Sequence, residues 1–502
     1  MHQRLLPCFP DLRAFLHHLE GRNEVARVAA PVDMALEVTE IHRHVIAGGG
    51  PVLHFARPQV NGIDASLPVI ANLFGTRERV AAGLGTDGAG LPALGEMLAW
   101  MTSPRAPASM SEARAMLPAA QAVLRSRHRI VRDTMACMDA DADLTQLPVQ
   151  TCWPGDAGPL ITWPVVITRP PGVDDPASYN LGIYRMQVLS RDRAIMRWLP
   201  MRGGAAHHRE WARMDADMPV AVVIGADPAT LLAAVMPAPE KVTELALAGI
   251  IAGRRPDLMA CRSIPLHVPS SAEIVLEGTV SPTETAQEGP FGDHTGYYNA
   301  PEPFPIFRLT HMRVRQDASY LTTFTGRAPD EPSVIAEAMT ELFKPLLRQR
   351  LPEIRDLWLP PEACSYRVAV LSIDKRYPGQ ARRVMMGLWS VLPQFVMTKM
   401  LIVVDADIDV HSWSDVMWAV ATRSDPSRDL MTIERTPIDP LDFASPLAGL
   451  GGKLGIDATT KIGTETDRDW GVTLGMDATV TRRVAARWDE LFPFSRVTRK
   501  AS

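Results

Sequence analysis

The chain has 502 residues, 46% of them hydrophobic and 22% charged, with a formal net charge of −5. Its length exceeds what one hydrophobic core usually serves and fits two or three domains of roughly 100–200 residues each, while the composition excludes a disordered or fibrous chain. The weak net charge, with no basic stripe, RNA-binding aromatic motif or zinc-finger spacing, argues against nucleic acid as a partner.

The first predicted element is an amphipathic helix over 11–19, where Leu12, Phe15, Leu16 and Leu19 recur at helical spacing behind the cap Asp11. A second helix is expected from about Asp33 to Gly48, Gly49 and Gly50, which read as a helix stop because no Gly-Lys-Ser/Thr follows to make a phosphate loop. PVLHF and LPVIANLF then read as strands, so residues 1–125 are expected to form a small α/β domain. From 126 to 326 short β runs alternate with Pro, Gly and Asp, among them WPVVITRPP, AIMRWL, PVAVVIG and AEIVLEGTV, a pattern of a barrel or sandwich. Runs 181–189 and 194–199 bracket Ser190-Arg191-Asp192-Arg193 as a hairpin, and helices are expected from Asp227-Pro228 to Val235 and over 242–252.

Residues 327–475 read as a third, α/β domain. Strand-like runs at 366–373, 400–404 and 431–434 are separated by helical segments at 379–392 and 413–421, a βαβ rhythm. A last helix over 479–491, within a 476–502 tail, carries Val480, Val484, Trp488 and Leu491 on one side and has to dock on a partner subunit or on its own chain. The five cysteines, Cys8, Cys137, Cys152, Cys261 and Cys364, form no C-x-x-C pair, the pattern of reduced thiols in a cytosolic protein. The N-terminus lacks the apolar run of a signal peptide, and no apolar stretch approaches the roughly 20 residues of a spanning helix.

Three clusters carry chemistry. EGPFGDHTGYYN, residues 288–299, sets Glu288 and Asp293 on a loop that Gly289, Pro290 and Gly292 keep out of helix or central strand. Two carboxylates in one shielded pocket push each other's pKa apart, leaving one protonated, the equipment for general acid–base work; two acids capping turns would read the same. YNLGIYR with MRWLPMRGG supplies Asn180, Arg185, Arg197 and Arg202, guanidinium forks that suit phosphate or carboxylate, or equally a salt-bridged hairpin. Glu244 is the one acid of an otherwise apolar helix, and its oxygens with that of Asn180 suit Mg²⁺ or Mn²⁺ bridging to phosphate. His207-His208 offers either a metal pair or a solvated one.

With NLGIYR, that loop resembles the UbiD family of decarboxylases, which use prenylated FMN. TCWPGDAGPLITWP, IMRWLPMRGGA, VPSSAEIVLEG, FTGRAPDEPS and TPIDPLDFASPLAGLGGKLGIDATTK extend the likeness along essentially the whole chain. The resemblance implies an N-terminal α/β domain, a central split β-barrel that binds the flavin and a C-terminal α/β domain that joins a homo-oligomer, commonly a hexamer. It makes Arg185, Glu288 and Asp293 catalytic, with Asp293 the proton donor, and lines the cofactor site with Ile183, Tyr184, Arg185, Arg197, Trp198, Leu199, Arg202 and Gly203. Asn180 and Glu244 would hold Mn²⁺, with a monovalent cation such as K⁺ as a further ion; where some relatives have a histidine ligand this chain has Gly203, with Met201 and His207 nearby.

The implied reaction is loss of CO₂ from 3-polyprenyl-4-hydroxybenzoate in ubiquinone biosynthesis, with a flavin prenyltransferase supplying the cofactor. A cytoplasmic protein with peripheral membrane contact would meet that lipid-tailed acid. A small unprenylated phenolic acid as substrate, or a non-catalytic flavin-binding assembly subunit, stand as alternatives.

Overall fold

The computed structural model describes residues 6, 8–102, 109–132, 137–236, 242–364, 366–391 and 393–492. Position 392 and the tail beyond 492 therefore lie outside the described residues.

The first helix is Leu12–Glu20, capped by Asp11 through Ala14 N, with Leu12, Phe15 and Leu19 buried as their spacing requires. The second helix starts later than the sequence suggests, at Glu37, because Val25–Asp33 is a strand, and it stops at Ala47 before the glycines. Val25–Asp33 pairs in parallel with Val52–Val60, which pairs antiparallel with Val69–Ala71. Tyr320–Leu321 returns from far downstream to complete this sheet. One continuous hydrophobic core runs from here into the central region.

The central sheet has nine strands. Along its path lie Leu160–Ile161, Met186–Val188, Arg193–Met196, Glu302–Arg315, Ile274–Glu288, Met218–Ile224, Pro164–Thr168 and Asn180–Ile183, with Cys137–Ala140 on the far end of Glu302–Arg315. The middle strand Met218–Ile224 is buried on both faces, so its sequence, MPVAVVI, is apolar throughout.

One expected element divides here. Residues 181–189 form no single strand: Asn180–Ile183 pairs with Pro164–Thr168, whereas Met186–Val188 pairs with Leu160–Ile161 and Arg193–Met196. Near opposite ends of one curled sheet, these two strands are joined only by Tyr184 and Arg185. The split of the half-barrel is thus bridged at a residue expected to be functional.

The helix Glu331–Arg350, started by a capping box between Asp330 and Ser333, leads into the C-terminal sheet. That sheet runs Ile354–Trp358, Val368–Ile373, Met400–Asp405, Leu450–Ala458, Leu430–Pro437. Val368–Ile373, Met400–Asp405 and Leu450–Ala458 are parallel, as a βαβ rhythm requires. The third parallel strand is Leu450–Ala458; the run at 431–434 is instead part of an antiparallel edge strand. The expected last helix breaks at Arg487 into Ala478–Ala486 and Trp488–Leu491, and no residue of either is buried. Among the described residues no helix is long and apolar enough to cross a membrane, and Cys8, Cys152, Cys261 and Cys364 are free.

Candidate active site

Arg185 sits where the chain crosses the split, and four of the five N–H groups of its guanidinium are engaged. Its Nε donates to Glu288 Oε1 at 2.8 Å, its Nη1 to Asp293 Oδ2 at 2.8 Å, and its Nη2 to Glu288 Oε2 at 3.2 Å and Asn299 Oδ1 at 3.0 Å. Glu288 ends the 15-residue strand Ile274–Glu288 and is fully buried. Arg197, brought alongside by its backbone bond to Arg185, donates a second guanidinium bond to Glu288 Oε2 at 2.8 Å. The guanidinium groups also lie over the rings of Phe291 and Phe304.

The loop that carries Asp293 is fixed, contrary to the freedom its glycines imply. Asn299 Oδ1 accepts from Phe291 N at 2.8 Å, Asp156 Oδ1 from Gly292 N at 2.9 Å, and Gln187 Oε1 from Gly289 N at 3.0 Å. Asp293 sits on a tight turn in which its N–H donates to Tyr297 O and its carbonyl accepts from Gly296 N. The glycines permit the path, Gly289 with φ of +89° among them, and the polar side chains then hold it.

The expectation that Asp293 is kept partly neutral by burial and by Glu288 is corrected by this geometry. Arg185 stands between the two carboxylates, and the other oxygen of Asp293 faces His294. Burial pushes the Asp293 carboxyl up, but the hydrogen bond from His294 and the charges of Arg185 and His294 outweigh it and hold the group well below the usual carboxylate range. His294 responds in the opposite sense. Burial lowers its pKa, yet its bonds to Asp293 and Asp439 raise it to about 9.

The other end of the site is made of oxygen donors. Asn180 begins the edge strand, and Glu244 opens the helix Glu244–Ala252, where its Oε2 accepts from Leu181 N at 3.2 Å. Burial raises the Glu244 pKa, with backbone bonds opposing and, among the described residues, no cation contributing. The Asn180 amide donates to Tyr184 Oη at 3.3 Å, and Tyr184 packs edge-on to Trp198. A Cβ at Gly203 would lie 1.9 Å from Asn180 Oδ1, so only glycine leaves the amide in place. The helix Gly203–Arg213 starts there with no side-chain cap from Arg202.

These residues fit a phosphate with a divalent ion. The fit rests on the buried Trp198 Nε1, which has no hydrogen-bond partner among the described residues, next to an uncapped helix N-terminus and two oxygen donors. Among the described residues no three His, Cys, Asp or Glu side chains cluster as a metal site, so phosphate or water oxygens would have to complete the shell. Of the adjacent histidines, His207 Nδ1 bonds Thr168 Oγ1 and His208 Nε2 bonds Ser281 O. Met201 is exposed. Ile183 and Leu199 are half-buried, Leu199 offering its carbonyl to Arg202 N.

Asn299, Asp156, His294 and Asp439 enter the site without having been singled out by sequence. Asn299 and His294 lie within the quoted loop and could have been weighed there. Asp439 comes from 146 positions beyond Asp293, in TPIDPLDF, a stretch that carries the family likeness but whose local spacing points to no role for the aspartate.

Three domain models of 3-octaprenyl-4-hydroxybenzoate carboxy-lyase match the chain: the N-terminal domain at 16–98, the Rift-related domain at 125–328 and the C-terminal domain at 333–458. The UbiD-class enzyme HmfF of Pelotomaculum thermopropionicum, in complex with FMN, is 28% identical over 92% of this chain and 97% of its own, with a TM-score of 0.75. Vanillic acid decarboxylase of Sedimentibacter hydroxybenzoicus, in its closed form, is 25% identical over 96% of this chain and 99% of its own, with a TM-score of 0.80. The 3,4-dihydroxybenzoic acid decarboxylase AroY of Klebsiella pneumoniae, at 21% identity and a TM-score of 0.73, shares the fold. With all three domain models in order along it, the chain belongs to the UbiD family of carboxy-lyases.

Proposed function

We propose that this carboxy-lyase removes CO₂ from 3-polyprenyl-4-hydroxybenzoate, using prenylated FMN held by Mn²⁺. The observation that carries the catalytic reading is the Arg185 guanidinium bonded to both Glu288 and Asp293 at the split of the flavin-domain sheet. Breaking an aryl–CO₂ bond leaves an electron pair with no resonance outlet, and the cofactor, when bound, supplies the electron sink.

The residues of the chain do the rest. Asn180 and Glu244 would hold the divalent ion and, with Trp198 Nε1 and the Gly203 helix terminus as donors, would retain the cofactor through its phosphate. Arg185 orients the substrate carboxylate, and in doing so takes Nη1 away from Asp293. Asp293, a carboxylate while Arg185 holds it, takes up a proton once that guanidinium bond is released and delivers it to the ring carbon after CO₂ leaves. Glu288, anchored by Arg185 and Arg197, fixes the position of both guanidinium groups.

Support for a prenylated substrate comes from the rim of the loop. Tyr297 and Tyr298 are exposed beside it, and Tyr297 meets the exposed Phe443 with ring centroids 5.8 Å apart. Such an apolar margin suits an isoprenoid tail. The same reading includes domains at 1–125, 126–326, 327–475 and 476–502, a flavin prenyltransferase as cofactor source, K⁺ as a further ion, a hexamer joined through the C-terminal region, and peripheral contact of a cytoplasmic protein with the membrane that holds the substrate.

Likeness to vanillic and 3,4-dihydroxybenzoic acid decarboxylases supports one competing reading, a small unprenylated phenolic acid as substrate. The test is CO₂ release from carboxyl-labelled 4-hydroxybenzoate with and without a 3-prenyl tail, by protein co-expressed with a flavin prenyltransferase. Release from the tailed acid alone supports the proposal; preference for the bare acid moves the chain to the small-phenolic branch.

A further inference from the structure

We propose that His294 is a positioning residue for the protonation half of the reaction, a doubly bonded imidazolium that resupplies Asp293 and is itself held by Asp439 of the C-terminal sheet. This rests on the reading of Asp293 as proton donor.

The geometry requires two N–H groups on the ring. His294 Nδ1 lies 2.9 Å from Asp293 Oδ1, and Nε2 lies 3.2 Å from Asp439 Oδ2. A neutral imidazole has only one N–H, so one carboxylate would face a lone pair; the imidazolium satisfies both. Asp439 is fixed in turn: Tyr366 Oη donates to its Oδ2 at 2.9 Å, Arg367 Nη2 lies 3.2 Å from the same oxygen, and Leu441 N donates to Oδ1. A second contact between the same two segments, Tyr297 against Phe443, lies further along. Proton supply is therefore assembled only where the 438–449 connection of the C-terminal domain meets the loop.

The charged and titratable groups around the ring come from several elements. Asp293 is on its own loop, Asp439 on the C-terminal connection and Asp330 at the start of the helix Glu331–Arg350; Tyr366 and Arg367 precede the strand Val368–Ile373. Arg185 acts through Asp293, and Arg202 through Tyr366. The two bonded carboxylates dominate, in line with the raised pKa of the ring.

The step balances in protons. With Arg185 Nη1 drawn to the substrate, the Nδ1 proton of His294 moves to the Asp293 carboxylate, leaving a neutral ring whose N–H still faces Asp439. Asp293 passes that proton to the product carbon and is a carboxylate again. One proton from water then restores the imidazolium, whose side chain is 20% exposed. Each turnover consumes one solvent proton, and no oxidant or reductant takes part.

The test uses full-length, flavin-loaded protein in three forms: parent, Asp439→Asn and His294→Asn. The parent's kcat is expected to fall as pH rises through about 9. In Asp439→Asn the falling limb is expected to move to lower pH by about one unit, with flavin content and KM held within about twofold. His294→Asn is expected to lose kcat by about 10²-fold and to lose that limb altogether.

A ¹⁵N-histidine titration of the parent, assigned by its difference from His294→Asn, reads the ring directly and needs no substrate. A His294 midpoint near the ordinary histidine value of about 6.5 would overturn the inference, as would parent-like pH profiles in both variants. Should Asp439→Asn fail to fold, the parent's titration still decides. Silence of the loaded parent on every acid would sink the functional reading, and with it the catalytic role of His294; the substrate-free titration tells that failure from a misplaced His294.

Discussion

The two ends of segment 180–185 follow opposite electrostatic plans. At the Arg185 end each carboxylate has its counter-charge within the protein: Glu288 lies between two arginines, and Asp293 between Arg185 and His294. At the Asn180 end Glu244 has only backbone donors, and Trp198 Nε1 has no partner among the described residues. The first end is preorganised by its own ion pairs; the second is arranged around groups that a bound phosphate and a cation would complete. Reaction and cofactor retention should therefore separate cleanly under mutation.

The largest effect is expected at the paired end. Arg185→Ala would leave Glu288 and Asp293 without their shared cation, and urea unfolding should show a loss of about 3–5 kcal/mol alongside abolished CO₂ release. Arg185→Lys should keep the fold but lose at least about 100-fold in kcat/KM, because an ammonium cannot make the fork to Glu288 while holding Asp293.

At the oxygen-donor end the loss should be of cofactor. Glu244→Ala is expected to lose metal and flavin together on purification, read by metal analysis and flavin absorbance; a fully loaded variant would break the phosphate clamp and with it the contrast. Gly203→Ala sharpens the same point by geometry alone, since its Cβ would displace Asn180 Oδ1. Its flavin occupancy should drop about tenfold, about 1.4 kcal/mol of binding, with no change in the Arg185 network.

The smallest effect is the pH dependence of stability. The folded pKa of His294 is raised to about 9, so its contribution is fully present below the unfolded value of about 6.5 and is lost as pH rises through about 9. Asp293 has the opposite sign. Its depressed folded pKa gives a contribution present above the unfolded value of about 3.9 and lost as pH falls further. Chemical unfolding at stepped pH should show the alkaline decline in the parent and a flatter curve in His294→Asn.

Much of this was legible in the sequence because short-range patterns carry it. The first helix and its cap, the apolar middle strand Met218–Ile224 and the acid pair five residues apart all follow from local spacing. What escaped depends on distance along the chain. LGIYRMQVL looks like one strand, since alternation cannot reveal that Ile183 and Met186 join different edges of a curled sheet. LGGKLGIDA was passed over because glycines dilute its β signal, yet it is a central parallel strand.

The same limit applied to protonation. Glu288 and Asp293 were read as mutually perturbing acids, but the distances that decide the matter are to Arg185 and to His294, and the partner of His294 comes from another domain. The sequence pointed to the acids and to Arg185 and left the pairing of Asp293 with His294, and of His294 with Asp439, unseen.

The central claim is that Asp293 gives the proton while the cofactor is held elsewhere. It is tested most directly by Asp293→Asn, measured for CO₂ release and flavin content on one preparation. The account expects turnover to fall by at least about 10³-fold with flavin occupancy equal to that of the parent. Full turnover would remove Asp293 from the chemistry, and loss of flavin along with activity would contradict the separation of the two ends.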